Sequence, residues 1–158
     1  MLDIIATYQA RVQLVQPKPS VLLQRFDKIA RVGQTHFSQI PEIKPAIKGS
    51  GALQRTYQLI KVPGATNDAK QPFDREGVLP IIPNNRHRPA LYEEGLCVAK
   101  KNPDAQRRIS IVLLGSETIL DNKRHVACLY GDRFERGIYL FELGTALLGD
   151  LSFLVTPV

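Results

Sequence analysis

The densest group of side chains able to do chemistry is Asn84-Asn85-Arg86-His87-Arg88-Pro89. Guanidinium forks and amides are the groups that hold phosphates and carboxylates, often two oxygens at a time. Lys100, Lys101, Arg107 and Arg108 follow at the next break in the apolar pattern. Arg86, His87, Arg88, Lys100, Lys101, Arg107 and Arg108 are therefore expected to share one exposed face that binds a polyanion. The bland counterpart is a solvated loop whose charges only keep the chain in solution. Bases of single-stranded nucleic acid stack on aromatic rings. Tyr92 is the aromatic nearest this cluster in sequence, and the chain has no Trp. No RNP-type aromatic motif or GXXG clamp is present, so contact with nucleic acid is expected to run through the phosphate backbone.

Acid–base chemistry has a thinner basis. His87 is followed by Glu93 and Glu94, and Asp121 precedes His125 by four residues. A histidine beside a carboxylate can act as a general base or as half of a metal site. The Asp121–His125 spacing falls in a polar connection, and three scattered histidines need no catalytic role. Nucleophile elbows, dinucleotide-binding glycine motifs and phosphate-binding P-loops are all missing, and Gly49-Ser50-Gly51 reads as a flexible joint. Cys97 and Cys128 lie far apart in apolar stretches, without a C-x-x-C, and are expected as buried free thiols. No catalytic residue, metal site or cofactor is assigned.

The elements that must position these groups show in the hydrophobic pattern. Tyr8, Ala10, Val12 and Leu14 alternate with polar residues, which is the period of a half-buried strand. Leu22, Leu23, Phe26, Ile29 and Ala30 recur at helical spacing after Ser20, a good N-cap, and before Gly33. An amphipathic helix is expected over about 20–32. A strand over 52–62 carries apolar groups on both faces, which points to an interior or interface position. Residues 63–95 contain Pro63, Pro72, Pro80, Pro83 and Pro89, and are expected to form a long loop or arm. Two hairpins are expected beyond it. One pairs 96–99 with 109–114, and the other pairs 126–130 with 138–143. The apolar tail over 145–155 is open between strand and helix.

The 158 residues, of which 44% are hydrophobic and 23% charged, suit a single globular domain spanning 1–158. The fold expected is α+β: a mostly antiparallel sheet with one helix packed on it. A net charge of +6 favours anionic partners. No run approaches the roughly 20 apolar residues of a membrane-spanning helix, and no signal peptide is visible, so a cytoplasmic or virion setting is expected. The pattern is poor in catalytic constellations and rich in apolar segments and proline-containing connections. It points to a non-enzymatic component of a larger assembly, such as a virion or tail part or a nucleoprotein subunit. Other protein chains are the expected partners. A stand-alone nucleic-acid-binding module and a small enzyme acting on an anionic substrate are the alternatives.

Overall fold

The alternation of Tyr8, Ala10 and Val12 builds strand β1 (Asp3–Gln13), which pairs antiparallel with β3 (Ala52–Lys61) along its whole length. The computed structural model describes residues 3–13, 28–29, 52–61, 86–143 and 151–158. Its other elements are β2 (Lys28–Ile29), β4 (His87–Pro89), helix α1 (Tyr92–Lys101), β5 (Ser110–Leu120), β6 (Lys123–Gly131), β7 (Arg136–Glu142) and β8 (Leu151–Pro157). One sheet runs β1-β3-β8-β5-β6-β7-β2, with β4 added to β8. Most of its pairings are antiparallel, and β5–β8 and β2–β7 are parallel. The α+β class expected from the sequence holds.

Both faces of the sheet are apolar. Ala10, Tyr57, Leu59, Leu113, Leu129 and Leu154 face the side on which α1 packs with Leu96 and Ala99. Ile60, Val112, Leu114, Cys128, Phe153 and Val155 form a second cluster. That division explains the two-sided apolar pattern of β3, which lies between β1 and β8. Residues 151–155 of the apolar tail belong to strand β8, flanked by β3 on one side and by β5 and β4 on the other, and 145–150 lie outside the described residues.

Three expectations need correction. The helix expected over 20–32 falls outside the described residues except at Lys28 and Ile29, which are strand and pair with β7. The described helix is instead α1, so 96–99 is helical and not the first strand of a hairpin. The loop expected over 63–95 stops short of its stated end, because His87–Pro89 is a strand and α1 begins at Tyr92; residues 63–85 lie outside the described set. The hairpin of 126–130 with 138–143 is present as β6–β7. A further hairpin joins β5 to β6 through Asp121 and Asn122, whose φ values of 50° and 60° suit a two-residue turn of the type that twists with its strands.

No helix of the described residues is long and apolar enough to cross a membrane.

Candidate polyanion groove

The end of α1 is held by its own cap and by a strand of the sheet. Asn102 closes it, its backbone N–H donating to Val98 O at 2.8 Å and its side-chain Nδ2 at 3.1 Å. Arg136 Nη1, from β7, donates to Ala99 O at 3.2 Å. The connection from α1 to β5 is then stapled to the β6–β7 hairpin. Buried Gln106 donates from Nε2 to Tyr130 O at 2.7 Å and to Gly137 O at 2.8 Å. Arg107 Nη1 donates to Asp132 O at 2.8 Å, inside the β6–β7 turn. These bonds bring a helix end, a connection and a hairpin turn into fixed relation with one another.

An open groove of about 1250 Å³ lies between these parts. Lys61, Lys101, Arg107, Arg108 and Arg133 line it, with Tyr8, Ile5 and Leu59 as apolar lining. Asp104 is the one acid among the lining residues, and it pairs with Arg107 Nε at 3.2 Å while its own side chain stays 91% exposed. Among the described residues Lys61, Lys101, Arg108 and Arg133 have no ion-pair partner. Lys61 and Arg108 also line a smaller adjoining hollow with Ser110 and Gly131. Like charges gathered on concave walls raise the local potential and draw in an anionic partner.

The seven residues expected to share one face are divided by the fold. Lys101, Arg107 and Arg108 reach the groove, and Lys100 is exposed on the last turn of α1 without lining it. Arg86, His87 and Arg88 belong to the far end of β8, where His87 pairs with Pro157, whereas Lys61 in the groove pairs with Ser152. There Arg88 donates two bonds to Glu94, at 2.9 and 2.8 Å, and so serves a buried carboxylate. His87 Nε2 is 2.8 Å from Gln58 Oε1. Tyr92, expected as the aromatic near the cluster, is buried in the core.

Lys61 and Arg133 were not foreseen as site residues. Lys61 shares strand parity with Leu59, which places it on the helix-covered face, but that face could be identified only once α1 was placed. Arg133 sits in a turn flanked by apolar runs, a signal that its side chain projects, though not toward what.

The candidate acid–base and nucleophilic groups lie outside the groove. His125 is buried, with Nδ1 2.9 Å from Lys123 O. Burial pushes the Cys97 thiol up to about 11 and the Cys128 thiol up to about 12, so both stay protonated near neutral pH. Both are free, as expected, with Cys128 buried and Cys97 half-buried. Among the described residues no group of His, Cys, Asp and Glu is placed to hold a metal ion. No family model, no curated protein and no solved structure matches this chain.

Proposed function

We propose that this chain is a non-enzymatic interaction component of a larger assembly, and that it holds a polyanionic partner in the groove at the end of α1. The observation that carries this reading is the charge set of the groove: five cations against one acid, with four of the cations unpaired among the described residues. A solvated face alternates signs or spreads its charge, and it does not gather side chains from β3, α1, the α1–β5 connection and a distant hairpin turn around one hollow. Polymeric anions fit better than small ones, because the groove is open and its cations are distributed along the walls.

The test is binding of inorganic polyphosphate to the full chain across a salt series. Tight binding at low salt that falls steeply with ionic strength is the expected result. Lys101→Ala with Arg108→Ala, both exposed and without an ion-pair partner among the described residues, should weaken it at least tenfold and flatten the salt dependence. Arg86→Ala, which lies away from the groove, should change it little. Equal losses from the two sets would refute the assignment of the site.

A further inference from the structure

Resting on the reading of the groove as a polyanion site, we propose that the polymer it takes is single-stranded nucleic acid, with Phe134 as the platform on which a base stacks. Phe134 stands at the tip of the β6–β7 turn and is 76% exposed. The turn that carries it is built stiffly. Asp132 Oδ1 accepts from the backbone N–H groups of Phe134 and Glu135, at 2.7 and 2.9 Å, and Asp132 N donates to Glu135 O at 3.0 Å. The bond from Arg107 to Asp132 O ties the same turn to the groove wall. Arg133 connects the ring to the site, since its guanidinium lies 4.5 Å from the ring centroid and its side chain lines the groove. The platform therefore adjoins one of the cations that line the groove.

Proteins that bind single strands combine a cationic track for phosphates with rings that accept bases, and every base has a face to stack. A duplex hides those faces, so it would use the cations and leave Phe134 idle. An anionic bilayer could meet the exposed ring and Arg133, but a plane cannot enter a concave groove whose lining includes half-buried Tyr8 and buried Leu59. An acidic protein segment would satisfy the cations and give the ring no role.

Fluorescence anisotropy of the full chain separates these cases. The probes are a labelled oligodeoxythymidine, the same sugar–phosphate chain without bases, a duplex of equal length, inorganic polyphosphate and phosphatidylserine vesicles. The oligodeoxythymidine should bind about five- to a hundredfold more tightly than the base-free chain. Phe134→Ala should remove that advantage and leave base-free chain and polyphosphate unchanged, while Phe134→Tyr restores it. Arg108→Ala should lower the log–log salt slope by about 0.7. Equal affinity for chains with and without bases, preference for the duplex, or Phe134→Ala acting only on vesicles would each overturn the single-strand proposal. The groove reading would then stand if Lys101→Ala with Arg108→Ala still weakens polyphosphate binding. If those substitutions leave polyphosphate binding unchanged, the groove reading fails and the single-strand proposal fails with it.

Discussion

Glu94 is fully buried, and the fork of Arg88 makes that burial tolerable. The same carboxylate accepts from Leu91 N at 2.8 Å, so one side chain neutralises Arg88 and covers an orphan N–H at the start of α1. Arg55 Nη1 lies 4.0 Å away and offers partial compensation. Arg88→Ala leaves a buried charge with that weaker partner and should cost about 3–5 kcal/mol, toward the lower end, in chemical denaturation. A loss of a few tenths would mean that Glu94 is not held by Arg88. Glu93 beside it has a different problem. Burial pushes its carboxyl above the usual range, a backbone N–H pulls it back, and the charge of Glu94 adds to the rise. A raised carboxyl favours the folded state below the ordinary value of 4.5 and loses that benefit as pH climbs through the folded value. Glu93→Gln should therefore raise the melting temperature at pH 7, and the gain should shrink toward pH 4. A gain of equal size at both values would contradict the sign argued here. The sequence showed these charges but not their burial, which is why Arg88 reads there as a ligand-binding group and here as a structural one.

At the scale of elements, β5 carries more chain than its neighbour. Leu113 faces Ala127 and Thr118 faces His125, so β5 takes five residue steps where β6 takes two. The extra length turns toward α1. Gly115 N donates to Ala90 O at 2.9 Å, and Ser116 Oγ accepts from Tyr92 N at 3.0 Å. Leu91, at the N-cap, has no side-chain acceptor of its own, and Ser116 together with Glu94 supplies what it lacks. The contact needs glycine, since a Cβ on residue 115 would sit 2.5 Å from Ala90 O, a backbone atom that cannot step aside. Gly115→Ala should cost about 1–3 kcal/mol, read by denaturant midpoint. An unchanged midpoint would show that β5 does not press on the start of α1. Local signals of this kind were legible only where turn chemistry was strong. Gly-Asp-Arg-Phe-Glu-Arg-Gly marked the β6–β7 hairpin, while Asp121-Asn122 lacks the glycine that flags a tight turn. The apolar stretch 96–99 reads as a strand from the sequence, and wrongly, because so short a run does not separate strand from helix by period. Glu93 and Glu94 at its start with Lys100 and Lys101 at its end are the dipole pattern that identifies a helix.

At the scale of the molecule, the groove depends on a strand that contributes nothing to its lining. β8 joins the two halves of the sheet: Gln58 pairs with Val155 and Lys61 with Ser152 on one side, and Ser110 pairs with Leu151 on the other. β8 thus fixes the relation between the strand that carries Lys61 and the strand that follows Arg108. No local sequence rule reveals this, because strand order is decided by packing between residues far apart, and the apolar tail fits either edge or centre. Phe153, Leu154 and Val155 are all buried and divide between the two apolar clusters, so removing β8 empties both faces at once. It would also bare the facing sides of β3 and β5, leaving unpaired backbone groups where the sheet is most apolar. A chain ending at Asp150 should therefore lose its cooperative thermal transition, bind a hydrophobic dye and self-associate. Phe153→Ala, which trims β8 without removing it, should keep a single transition and cost about 3–5 kcal/mol. If the truncated chain still melts cooperatively near the temperature of the full one, the halves fold independently and β8 is a late addition. Polyphosphate binding then gives the sharper reading: a groove assembled across β8 loses its affinity with the strand, whereas one built by either half alone keeps it.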